Sequence, residues 1–261
     1  MSQLYAVPSW LLLFVAMGIA AALACAGLIM VRRRFGAFNF GEHNAVAGPM
    51  LGIVGGIYAV MLAFVTITVW QEYDGSQQRL AAEGSAAGDV WRAAVGLSPA
   101  ATRALRGEIV GYAQVLVAEE WPLMRRGEMS RRAELRLAAL YAAAARLRPA
   151  DAGETNAQLA ILQAIATLHD ARRHRLLDNA SGVSGFQWGV LVIGSLAVFS
   201  YCYLMGMSNV RAHLIMVAAL AVVVASMFVL IFELDYPFRG DLAIPPRPIA
   251  EFLTWVRLAP G

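Results

Sequence analysis

Apolar and polar positions along this chain fall into long blocks. Residues Pro8 to Val31 run 24 positions without a charge, and Gly48 to Trp70 run 23. Two further apolar runs cover about Phe186 to Met207 and Ala212 to Phe232. A hydrocarbon core about 30 Å thick is crossed by roughly 20 helical residues, so each block predicts a membrane span. Arg32, Arg33 and Arg34 stop the first run and no basic residue precedes it, a pattern of a retained span rather than a signal peptide. Trp70 and Tyr73 close the second run, Trp188 opens the third and Glu233 ends the fourth. Aromatic residues at such ends sit at the level of the lipid headgroups.

The blocks divide the chain into a hairpin of spans over 1–70, a polar segment over 71–185, a second hairpin over 186–233 and a tail over 234–261. The polar segment is 115 residues long, with 14 Arg against 13 acidic residues, and reads as a water-facing helical domain. Residues 79–96 continue the second span outwards. Ser98-Pro99 opens a helix to about Trp121, where Pro122 is expected to end it. Ser130 caps the next helix, stopped at Arg148-Pro149. Asp151 and Glu154 match a capping box and start a helix to about Asn179. Its Leu159, Leu162, Ile165, Leu168, the Arg172 stem and Leu176 keep helical spacing, so one face is expected to pack. No segment alternates as a strand would. The fold class is an all-α membrane protein: four transmembrane helices in two hairpins, with an inserted helical soluble domain. In the tail, Pro245, Pro246 and Pro248 predict an extended, semi-rigid stretch lying over that domain.

Composition agrees. Of the 261 residues 59% are hydrophobic and only 15% charged, against roughly 25% charged in an average soluble domain. The two cysteines, Cys25 and Cys202, lie inside apolar runs, which excludes a disulfide scaffold. A net charge of +3 is too mild to argue for a nucleic-acid partner. Every one of the 21 basic residues is Arg. Short loops on one side carry four of them, and six lie near span ends on the other, so charge alone does not orient the chain.

The second span holds the most unusual pattern. Asn44, Gly48, Gly52 and Gly56 recur every fourth position, and Ala59, Ala63 and Thr66 extend a small-residue face beside Gly55. In lipid, small residues let helices approach closely. The stripe therefore has two readings: packing against another span of the same subunit, or a smooth lining around the axis of an oligomer. Glu42 and His43 at the start of that helix are either an interfacial cap, favoured by the helix dipole, or a charged ring at a pore mouth. Glu233, Asp235, Arg239 and Asp241 cluster where the fourth span ends. They read as an ion-paired anchor for the tail or as a gating latch. Arg172, Arg173 and Arg175 read as a basic patch near anionic headgroups, and Trp121 with Glu119 and Glu120 as a packed helix end. His169 and His174 are five apart, the wrong spacing for two ligands on one helix face, so no metal or cofactor is expected. No nucleophile, base and oxyanion donor come together, and no enzyme is expected.

Certain stretches are similar to the bacterial bestrophin-like domain family of four-span membrane proteins. They are residues 42–48 leading into 58–65 and Val69-Trp70, Tyr112 with Glu119-Glu120-Trp121-Pro122, and Asp235-Tyr236-Pro237-Phe238-Arg239-Gly240-Asp241. The resemblance runs in order over nearly the whole chain. It implies kinship with bestrophins, pentameric anion channels whose termini and helical domain are cytosolic, and so places residues 71–185 and both termini in the cytoplasm of a bacterial inner membrane. The chain departs from bestrophins after Gly240, where Asp241 stands alone instead of a run of acids. One carboxylate does not make a cage for a cation that takes six to eight oxygens, so calcium gating is not expected. The reading that results is a homo-oligomeric passive ion channel lined by the second span, its ion left open because Glu42 and Glu233 repel anions. The alternative is a membrane scaffold whose helical domain binds a protein partner. In either case the lipid bilayer is the first partner, and inorganic ions are a second only for a channel.

Overall fold

The structure, a computed structural model, describes residue 5, residues 7–34 and residues 44–258. Among these residues every regular element is a helix, and four helices are long and apolar enough to cross a bilayer. They are α1 (Ser9–Arg34), the first part of α2 (Asn44–Ala93), α7 (Gly185–Leu204) and α8 (Val210–Asp235). Between α2 and α7 come α3 (Pro99–Val115), α4 (Trp121–Met124), α5 (Arg131–Ala145) and α6 (Ala152–Ala180). A last helix, α9 (Arg247–Leu258), follows the spans. The all-α membrane fold read from the sequence is the fold observed. The chain divides into two compact units, one built from residues up to Gln71 with Gly182–Asp235, the other from Glu72–Ser181 with the residues from Tyr236 onward.

In the membrane unit the first and last spans make the most extensive contact. Ala24, Leu28, Val217 and Ala221 are buried there, with Phe199, Cys202 and Tyr203 of α7 against them. Hydrophobicity does not drive helices together in lipid, so small residues that permit close backbone approach select the pairing. Gly27 is one such place, since a methyl group there would stand 2.8 Å from the Tyr203 hydroxyl oxygen. The starts of α5, α6 and α7 are capped as polar side chains at helix N-termini should be. Ser130 accepts from the Ala133 amide, Asp151 from the Glu154 amide and Ser184 from the Gln187 amide.

The helical unit corrects three sequence readings. First, Pro122 does not end the helix at Trp121. A proline ring crowds the carbonyl four residues back and lacks an N–H. Here the turn just before it, Leu116–Glu120, widens to a π-helix, with the Trp121 amide reaching back to Leu116. That widening lets the helical path continue to Met124. Gly127, at φ 79°, then turns the chain. Second, the tail is not extended throughout. Its prolines flank or open α9, whose Ile249 and Phe252 are buried in the core of this unit. A proline in the first turn of a helix removes no needed hydrogen bond. Third, Leu159 of α6 is exposed, and the buried face runs through Ile161, Ile165, Leu168, Arg172 and Arg175.

Helix α9 rests on α2 at Gly84, where a β-carbon would lie 2.8 Å from the Pro248 β-carbon and 3.1 Å from its carbonyl carbon. Gly84→Val should displace α9 at a cost of about 1–3 kcal/mol, the usual range for overpacking. Limited proteolysis should then release the C-terminal helix and lower the unfolding temperature. Gly88→Ala meets only the end of the Arg92 side chain, at 3.1 Å, which needs to shift by a few tenths of an ångström, and should leave both nearly unchanged, since Ala is also the better helix former.

Candidate functional site

Successive helical residues are about 100° apart, and on that basis α2 shows three strips within its span. Tyr58, Leu62 and Val69 are buried and form the packed strip. Tyr58 and Met61 lie against Gly194 of α7, where an added methyl would come within 2.5 Å of the Tyr58 ring. About 100° round from these lie Gly52, Gly56, Ala59 and Ala63, all exposed. A further 100° on, Ile53, Ile57, Val60 and Phe64 are also exposed, Phe64 at 66%. A methyl added at Gly48, Gly52, Gly55 or Gly56 would meet no atom within 4 Å among the described residues. Among the described residues, therefore, no neighbour within the protomer packs closely on Gly48, Gly52, Gly55 or Gly56. From Gly52 to Ala63 the small residues form an exposed face beside a bulky apolar one.

The polar groups at the ends of this stripe are partly engaged. The Asn44 side-chain amide donates to the Gly206 carbonyl at 2.7 Å and accepts from the Gly206 amide at 2.9 Å, tying the start of α2 to the connection between α7 and α8. Thr66 and Thr68 donate to the carbonyls of Leu62 and Phe64. Each hydroxyl oxygen can still accept a hydrogen bond. Nearby, His213 is buried, with Nδ1 3.4 Å from Arg32 and Nε2 3.1 Å from the Cys202 carbonyl. Arg32 can only donate and a carbonyl can only accept, so the two contacts match the tautomer that carries its proton on Nε2. Arg32 also donates to the Met207 carbonyl at 2.8 Å. Glu42 and His43 lie outside the described residues.

Of the cluster read after the last span, Glu233 and Asp235 are buried in the membrane unit, and Asp235 accepts from the Val183 amide. In the helical unit, Arg239 donates to the Asn179 carbonyl at 2.5 Å and lies 4.2 Å from the Tyr236 ring centroid. Asp241 is exposed. The guanidinium thus anchors the chain after the span to the end of α6. Trp121, read as part of a packed helix end, is buried and donates to the Ile244 carbonyl at 3.0 Å.

The sequence reading missed the most polar feature of the helical unit. Arg172 and Arg175 do not face headgroups: they are buried, Arg175 completely. Arg175 forms ion pairs with Glu83 of α2 at 2.7 Å and with Glu120 of the π turn at 2.8 Å, and its guanidinium lies 4.7 Å from the Trp121 ring centroid. Arg172 pairs with Glu120 at 2.8 Å and with Glu134 of α5. The Tyr112 hydroxyl donates to Glu83 at 3.1 Å. Burial alone would lower both guanidinium pKa values. The carboxylates beside them outweigh that, so both stay above their ordinary range. Burial pushes the Glu120 carboxyl up, but Arg175 and the hydrogen bonds from Arg172 hold it below the ordinary range. Burial, and then the charge of Glu83, push the Tyr112 phenol well up, so it stays a donor. The one signal available in sequence was that Arg172, Arg175, Ile161, Ile165 and Leu168 share one helical face. Among the described residues no three His, Cys, Asp or Glu side chains gather as a metal site.

The sequence model of the Bestrophin-like domain matches residues 18–249. No curated protein matches the chain in sequence. Among solved structures, a variant of a bacterial bestrophin homologue from Klebsiella pneumoniae superposes with a TM-score of 0.65 at 14% identity, covering 95% of this chain and 97% of that one. A second variant of it gives 0.63 at 14% identity, with 96% and 99% covered. A structure described as a membrane protein gives 0.64 at 13% identity, with 96% of each chain covered. At such identities the likeness is one of fold.

Proposed function

The chain belongs to the Bestrophin-like domain family, and from that membership we propose that it is a passive ion channel, assembled from several copies around a pore lined by the small-residue face of α2. The observation that supports this most directly is that Gly52, Gly56, Ala59 and Ala63 face open space within the protomer. Four spans enclose little on their own, so an aqueous path runs between copies. The lining runs from Gly48 to Thr66, with Glu42 and His43 preceding it in the sequence. Membrane-embedded ionisable groups are the usual mark of coupled transport, and this face offers none. Kinship with bestrophins points to an anion and a carboxylate at Glu42 to a cation, so the proposal leaves the ion open. By the same kinship the helical unit and both termini lie in the cytoplasm of a bacterial inner membrane.

The test is particle imaging of the detergent-purified protein together with ion flux from reconstituted vesicles, using chloride and potassium gradients separately. A closed ring with α2 innermost and flux of either ion is the expected result. A dimer packed through Gly48, Gly52 and Gly56, or an intact ring that passes neither ion, would overturn the proposal.

A further inference from the structure

A pocket of about 810 Å³ lies in the helical unit, lined by residues from the end of α2, the start of α3 and α9. On α3, Pro99, Arg103, Arg106 and Val110 share one face, because positions three and four apart are neighbours on a helix. Leu97, and Val256 of α9, add apolar wall.

Two arginines give the pocket its chemistry. Arg106 is half-buried, its guanidinium 4.4 Å from the Trp91 ring centroid and its Nε donating to the Trp91 carbonyl at 3.5 Å. Stacking and that bond orient the planar group, and its two Nη groups have no acceptor among the described residues. Arg103, one turn earlier, is exposed and has no hydrogen bond or ion pair among the described residues. The acids nearest in sequence are engaged with other arginines, Asp89 with Arg92 at 2.6 Å and Glu108 with Arg136 at 3.6 Å. No acidic residue lines the pocket. The Thr102 hydroxyl donates to the Ala94 and Leu97 carbonyls, so its proton is spent on the turn before α3. Gly107 also lines the pocket, and a methyl there would meet no atom within 4 Å among the described residues. Space is left open where alanine would have made a better helix.

Charge and wall chemistry together select the occupant. A neutral apolar molecule would cover guanidiniums that still need acceptors. An inorganic ion would leave the apolar walls in water. A phosphate monoester carries a charge of about −1.5 to −2 at pH 7, which matches two guanidiniums where a carboxylate matches one. Guanidinium forks also fit phosphate oxygens in pairs. The pocket's volume falls in the range of about 300–1,000 Å³ usual for small-molecule sites.

We propose that this pocket binds a small phosphate monoester with an apolar body, one per protomer, its phosphate held by Arg103 and Arg106. The site belongs to the helical unit and does not depend on the pore assigned to α2.

Calorimetric titration of the full-length protein in detergent and phosphate-free buffer, with phenyl phosphate and with inorganic phosphate, provides the test. One phenyl phosphate should bind per protomer, on the order of tenfold tighter than inorganic phosphate because its ring leaves water. Arg103→Gln and Arg106→Gln should each weaken binding by about tenfold or more, since each removes a charged hydrogen-bond donor. Gly107→Leu should abolish it with both guanidiniums in place. Leucine is a better helix former than glycine, so that variant should melt no lower than the unaltered protein. Arg146→Gln, at an exposed arginine ending α5, should change nothing. Absent saturable binding, or equal affinity for the two phosphates, overturns the proposal. So does full binding in Gly107→Leu, which would reduce the affinity to surface charge, or an imaged oligomer in which a carboxylate of a neighbouring copy fills the pocket. The Arg103→Gln result, from an exposed position, decides the matter even if Gly107→Leu fails to fold.

Discussion

Arg175→Met is expected to destabilise the helical unit by about 3–5 kcal/mol, the cost of removing one partner from a buried ion pair. The loss is large because of what remains. Glu83 and Glu120 are both fully buried, and Arg175 contacts both. Without it, Glu83 keeps only the Tyr112 hydroxyl among its described partners, and one neutral donor does not balance a buried charge. Arg172 can still hold Glu120. Arg175→Met combined with Glu83→Gln should therefore recover a substantial part of the loss, which a double-mutant cycle of denaturant unfolding would measure. If the single variant unfolds like the unaltered protein, the network is not holding these helices. The network also predicts an acid limit. The folded Glu120 carboxyl titrates below its ordinary value, so the unfolded chain takes up the proton first as pH falls. Its stabilisation is present in full above about 4.5 and is gone once pH has fallen through the lower folded value. In the double variant it should persist in part, because Arg172 remains beside Glu120.

Gly52→Leu should abolish most of the ion flux while leaving assembly intact. The substitution places a four-carbon side chain on the open face of α2, where an added methyl now meets nothing within 4 Å. In a closed ring every copy carries it, so the obstruction is repeated around the axis. Apolar constrictions stop ions by excluding water as well as by filling space. A fall in flux on the order of tenfold or more is expected, with ring symmetry unchanged on imaging. Gly56→Leu should behave alike, whereas Ile57→Leu, on the bulky strip, should leave flux within about twofold, since a volume-conserving exposed change disturbs little. Undiminished flux in Gly52→Leu would exclude this face from the pore. Loss of the ring itself would make the stripe an assembly surface.

Much of the architecture was legible because its causes are local or nearly so. A run of about twenty apolar residues must be helical in lipid to satisfy its own backbone, and so the four spans follow from the chain alone. Ser130 and Asp151 announce helix starts because a capping oxygen needs only the next turn. The small-residue stripe was equally plain, being a matter of spacing. Its meaning was not. Whether another span of the protomer covers Gly52 and Gly56 depends on which helices pair, and the pairing of α1 with α8 joins residues some two hundred positions apart.

The same division explains the three larger errors. Arg172 and Arg175 look like headgroup contacts because an arginine near a membrane segment normally keeps its charge in water. Only the folded unit brings Glu83, Glu120 and Glu134, up to about ninety positions away, within reach of two buried guanidiniums. Pro122 looks like a stop because its cost is local, but the relief came from the π turn before it. The tail prolines look like an extended strap, but α9 forms because Ile249 and Phe252 have a core to enter. The sequence by itself determined a four-span, all-helical membrane protein with a polar helical insertion and an unusual second span. The tertiary structure alone decided which charges are buried and paired, and which face of α2 stays open, because both depend on partners that only long-range packing supplies.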